Sequence, residues 1–132
     1  MNDYNSQYSG AKIEELLGQI PNLAKADLSN AMTVSLNQNG YAKFNNGLLI
    51  QWGYSSSSGR NKTIYLPISF YDTNYSVLVT MKRTVDDTTN YTGDVWTQNK
   101  SSFLMFGLYH STDTNNGAFW GGFNWFAIGR WK

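Results

Sequence analysis

The 132-residue chain has no cysteine, one histidine, two prolines and few charges. Without cysteine there is neither a disulfide framework nor a thiolate metal site. A single histidine, His110, excludes a His-rich zinc centre, and any Ser-His-Asp arrangement would have to use it. Charged residues make up 14% of the chain, ten Lys and Arg against nine Asp and Glu. That balance leaves no basic excess for nucleic acid or an anionic membrane surface. The longest strictly apolar runs, such as Phe103 to Phe106, fall far short of the roughly 20 residues of a spanning helix. Residues 1–8 are polar and carry no signal-peptide core. No glycine-rich phosphate loop precedes a helix. The expectation is a domain with no cofactor, no metal, no nucleic-acid partner and no membrane insertion.

Aromatic and small polar residues dominate instead. Nine Tyr, seven Phe and five Trp give 16% aromatics, and Asn, Ser and Thr supply 15, 13 and 11 residues. Few charges with many aromatics argue against disorder. Thr, Tyr, Phe and Trp favour strands, while Asn, Gly and Ser favour the turns between them. The composition is that of an all-β domain with a polar, weakly charged surface, which suits an extracellular binding module.

Along the chain, Ile13, Leu16, Leu17 and Ile20 stand at helical spacing, with Ser9 as N-cap and Pro21 as stop. Three turns with one narrow apolar stripe are marginal alone in water. The stripe therefore needs a partner, either the β-domain of its own chain or copies of itself in a short coiled coil. Residues 22–32 read as a connector. From Thr33 the pattern changes to period two, so residues 1–32 form a helix and connector and residues 33–132 the β-domain. Strands are expected at 33–37, 41–44, 48–54, 62–70, 76–83, 102–110 and 123–132, with a short one at 95–97. Asn46-Gly47 marks a hairpin turn, and Pro67 confines its strand to an edge or a bulge. About seven short strands at close spacing predict an antiparallel β-sandwich or barrel.

Catalysis has little support. Beyond the helix the acids are Asp27, Asp72, Asp86, Asp87, Asp94 and Asp113, all in expected loops or turns, where turn chemistry accounts for them. Aromatics beside amides and carboxylates suit a sugar, whose ring offers apolar faces and hydroxyl edges. Candidate ligand-binding residues are Tyr91 and Trp96 in one loop, Tyr109, His110, Asp113 and Asn115 around another, and Trp120. The competing reading for each aromatic is a core side chain with its polar atom at the rim.

Two segments carry a family resemblance. Phe44-Asn45-Asn46-Gly47-Leu48-Leu49-Ile50-Gln51-Trp52-Gly53 resembles the "FxNGLIIQWG" signature of the carboxy-terminal tip domain of bacteriophage tail fibres. Trp125-Phe126-Ala127-Ile128-Gly129 is similar to the "WxAIG" strand that closes those domains. Between them, Leu66-Pro67-Ile68-Ser69-Phe70 and Tyr75-Ser76-Val77-Leu78-Val79-Thr80 resemble the run "FPIxF…xYSVxxT". Residues 8–17 also look like the short helix ahead of such tips. The resemblance implies a homotrimeric β-sandwich, similar in outline to the H-type lectins. It would sit in a virion tail fibre, extracellular when acting, and attach to a host surface glycan or another cell-surface receptor. Gly47, Trp52, Gly53, Pro67, Phe70, Trp125 and Gly129 read as fold-makers, so the motifs name the module and not its receptor.

The domain is expected to be a non-enzymatic receptor-binding tip; the alternatives are a tail-associated glycan depolymerase and a purely structural fibre segment. Ile13, Leu17 and Ile20 would pack around a threefold axis. Trp52 and Trp125 would be buried. Of the polar loops 55–61, 84–94 and 111–117, the third is the expected binding loop, because Tyr109, His110, Phe119 and Trp120 flank it.

Overall fold

The computed structural model describes residues 7–111 and 115–132, and the chain divides into two compact units, residues 1–32 and 33–132. In the first unit, α1 (Gly10–Gln19) begins where the Ser9 side chain accepts the Lys12 backbone N–H. It ends in a single 3-10 turn (Ile20–Asn22) that contains Pro21. None of its residues is buried, and Ile13, Leu16, Leu17 and Ile20 are all exposed. The connector behind it is tied by Asn30, whose amide donates to the carbonyls of Pro21 and Leu23 and accepts from the Lys25 N–H.

The second unit is an antiparallel sandwich. Its strands are β1 (Met32–Ser35), β2 (Gly40–Phe44), β3 (Leu48–Ser55), β4 (Lys62–Tyr65), β5 (Ser76–Met81), β6 (Asn90–Asn99), β7 (Ser102–His110), β8 (Asn116–Ala118) and β9 (Phe123–Arg130). One sheet runs β1-β2-β3-β9-β5; the other runs β4-β7-β6, with β8 also on β7. The inward faces follow the period-two rule. Phe123, Trp125 and Ala127 of β9 and Leu49 of β3 meet Ile64 of β4 and Phe103 and Met105 of β7. Phe103 meets Trp125 edge-on with centroids 5.8 Å apart, and Phe70 stacks on Tyr75 at 4.2 Å.

Several sequence expectations change in detail. The run 62–70 is a strand only to Tyr65, because Pro67 has no N–H for a ladder. Beyond Tyr65 the chain is held by a side chain instead. Buried Gln51 donates to the Ile68 carbonyl and accepts its N–H, both at 2.9 Å, acting as a stand-in strand partner. The loop expected at 84–94 is shorter, since β6 already starts at Asn90. Tyr91, Asp94 and Trp96 therefore belong to a strand. The turn at Asn46-Gly47 is a three-residue one: Gly47 (φ +105°) donates to the Phe44 carbonyl, and the Asn46 side chain accepts the Leu48 N–H. Trp125 is buried, but Trp52 is not. It faces outward on β3 and is only half-buried, with its indole N–H on the Asn37 carbonyl at 3.1 Å.

The buried Tyr75 hydroxyl reaches the carbonyls of Asn99 and Ser102 at 2.8 and 2.9 Å. Burial pushes its phenol up to about 12. A folded-state value above the ordinary one leaves stability untouched below about pH 10 and removes it progressively from about pH 10 to 12. Tyr75→Phe is expected to abolish this part of the alkaline loss. Urea unfolding of both proteins at about pH 9 and about pH 11.5 checks it; an equal alkaline loss in the variant would contradict the assignment.

Candidate functional site

The strand ends gather three connections at one end of the sandwich. Phe123 pairs with both Ser55 and Met81, so loops 56–61 and 82–89 leave the first sheet beside each other. The Lys82 N–H donates to the Gly122 carbonyl, and the Gly107 N–H to that of Gly59. In the second sheet His110 pairs with Asn90 and with Asn116, which brings the connection after β7 to the same end.

The base of this end is firmly held. Phe119 is buried under Tyr91, with ring centroids 4.4 Å apart. The Ser58 hydroxyl, itself buried, donates to the Phe119 carbonyl at 2.6 Å. Arg83 folds loop 82–89 around its guanidinium, donating to the Asp87 carbonyl, to Asp87 Oδ1 at 3.1 Å and to the Thr89 carbonyl at 3.0 Å. Asp87 in turn accepts the Thr89 N–H and hydroxyl at 3.0 and 2.9 Å. Sequence reasoning passed over Arg83; the signal for it was a Lys-Arg pair leading into a Thr/Asp run.

Above this base stand the expected site residues. Tyr109 lies opposite Tyr91 in the ladder, and its hydroxyl makes a long 3.5 Å hydrogen bond to Asn115 Oδ1. His110 Nδ1 lies 3.2 Å from Asn116 Oδ1. Trp120 is 68% exposed. Its ring lies flat on Gly59, where a Cβ would come within 2.5 Å of it; with φ at +113° this position is doubly reserved for glycine. Asp113 lies outside the described residues. Tyr91, Tyr109, His110, Asn115 and Trp120 are thus brought to one end, with Tyr91 serving as support for Phe119.

Trp96 is elsewhere. Five residues from Tyr91 on β6, Trp96 falls on the outward set with Thr92 and Asp94 and is 70% exposed; the β6–β7 register shift between Val95 and Thr97 then leaves Thr97 outward as well. It borders an open hollow of about 360 Å³ with Asp94 and Phe106 on the outer face of the second sheet. A larger hollow, about 520 Å³, was not foreseen: Gln38, Trp52, Gly53, Tyr54, Lys82 and Asn124 line it on the outer face of the first sheet. Among the described residues no His/Asp/Glu cluster suits a metal ion, and no helix is long and apolar enough to cross a membrane.

Residues 43–130 match the family model described as putative tail fiber protein gp53-like, C-terminal. The chain belongs to this tail fibre family. Solved structures agree in fold. An N-truncated R2-type pyocin tail fiber aligns at 19% identity and a TM-score of 0.60, over 92% of this chain and 43% of that one. A carboxy-terminal R2 pyocin fiber segment from P. aeruginosa gives 19% and 0.60, over 94% of this chain and 30% of that one. An N-truncated R1-type fiber gives 19% and 0.57, over 95% and 99%. The tail fibre domain thus spans less than half the length of the two R2 fibers. No curated protein matched it. Its role is that of a phage-like, virion-associated tail fibre.

Proposed function

We propose that this domain is the receptor-binding tip of its fibre, that it attaches to a host surface glycan without cleaving it, and that it works as a homotrimer. The observation that carries the reading is Trp120, a 68% exposed indole packed on Gly59, at the same end of the sandwich as the Tyr109, His110 and Asn115 side chains. An exposed aromatic with amides around it offers a sugar both a stacking face and hydrogen-bond partners, and a pre-organised base lowers the ordering cost of binding. Depolymerisation requires two acids across one cleft. Asp87 is spent on Arg83 and Thr89, and among the described residues Asp94 shares its hollow with Trp96 and Phe106.

Trp120→Ala and Asp113→Ala, introduced into the fibre, are expected to lower adsorption to host cells about tenfold or more with little change in melting temperature. Unchanged adsorption in both variants would move the site elsewhere. For assembly, the exposed stripe Ile13, Leu17 and Ile20 supports a parallel three-stranded packing. Sedimentation at micromolar concentration is expected to show a trimer, and a monomer would contradict it.

A further inference from the structure

We infer that the hollow between Trp52, Tyr54, Gln38, Lys82 and Asn124 is a second ligand subsite and that it takes an anionic sugar. The inference rests on the glycan-binding reading above and adds to it a separate location and a charge. Four segments converge on the hollow: the turn after β1 supplies Gln38, β3 supplies Trp52, Gly53 and Tyr54, the residue after β5 is Lys82, and β9 supplies Asn124. Trp52 is fixed by its indole bond to the Asn37 carbonyl, and the Tyr54 ring packs against Gly122, where it leaves no room for a Cβ. The two rings are therefore held in place before any ligand arrives.

The polar heads around them are uncommitted. Among the described residues, the Gln38 and Asn124 amides make no hydrogen bond within the chain. The Lys82 ammonium has, among the described residues, only the Tyr54 ring, 5.7 Å from its Nζ. Each amide can both donate to and accept from neighbouring hydroxyls. Lys82 is the one charged residue in the lining. A hollow with apolar walls, two amides and a single ammonium complements a pyranose bearing a negative group. A neutral sugar would leave the cation unmatched, and a cationic one would be repelled. Carboxylate and phosphate groups share this chemistry.

The test uses the full chain, labelled with ¹⁵N, and follows the tryptophan indole cross-peaks during titration. Methyl β-D-glucuronide and glucose 6-phosphate are the two anionic probes; methyl β-D-glucoside and inorganic phosphate are the controls. At least one anionic sugar is expected to shift the Trp52 indole saturably, and the two probes together tell carboxylate from phosphate. Lys82→Gln, a change at an exposed side chain, is expected to weaken that binding about tenfold and to leave the response to methyl glucoside unchanged. The inference is overturned if inorganic phosphate alone gives the same shifts, which would mean an adventitious ion only. It is also overturned if the glucoside binds as tightly as the anions, or if Lys82→Gln changes the sedimentation of the protein, which would make Lys82 a subunit contact. Shifts at Trp120 without any at Trp52 would sink this subsite and spare the receptor-binding reading; loss of adsorption on Trp120→Ala tests that reading separately.

Discussion

Truncating Trp125 to alanine is expected to cost about 3–5 kcal/mol, the usual range for removing a large aromatic from a packed core. Trp125 is 4% exposed and sits in the middle of β9, the strand that joins β3 to β5. Its ring is wedged edge-on against Phe103 of the opposite sheet and lies where a Cβ on Gly53 would come within 2.5 Å of it. The cavity would thus open between the two sheets, where the backbone cannot collapse to fill it. A domain of this size has roughly 5–15 kcal/mol in total, so the urea midpoint should fall sharply. Phe126→Ala, one residue on but facing outward, should cost far less. Equal losses in the two variants would mean that the assigned faces of β9 are wrong.

Gln51→Leu is the second large effect, and it looks harmless at first sight. Gln51 is fully buried, and leucine is apolar and similar in size. Among the described residues, however, the amide is the one hydrogen-bonding partner of both backbone groups of Ile68. Its loss leaves a donor and an acceptor unmatched in a partly buried loop, a cost of about 2–4 kcal/mol. Faster hydrogen exchange at the Ile68 amide should accompany the fall in stability. A variant as stable as the parent, with unchanged exchange at Ile68, would show that this loop is held by its other contacts.

The same residue explains what the sequence disclosed and what it concealed. Period-two alternation, Asn46-Gly47 and the Ser9/Pro21 pair disclosed the strands, the hairpin and the helix, because these are local signals. In Leu48 to Tyr54 the alternation points the wrong way. Ile50, Trp52 and Tyr54 look like the inward set, whereas Leu49, Gln51 and Gly53 are the buried ones. Gln51 is inward because a backbone 17 positions away needs its amide, and Gly53 because Trp125 needs the space. Neither demand is visible within the strand itself. Misreading this face hid the hollow beside Trp52 and Tyr54. Tyr91 and Trp96 part for a simpler reason: once both lie on one strand, their odd spacing puts them on opposite faces, which reading residues 84–94 as a loop concealed. The meeting of Tyr109 with Asn115 and of His110 with Asn116 was legible because these residues border one short segment.

We propose that this domain holds the fibre to a cell through sugar. Binding of the purified, labelled chain to host cells, before and after mild periodate oxidation of their surface glycans, tests it most directly. Periodate cleaves vicinal diols and leaves most protein receptors intact. Saturable binding that is lost on oxidation, and lost equally in the Trp120→Ala chain on untreated cells, is the predicted result. Binding that survives oxidation undiminished would contradict it and point to a protein receptor.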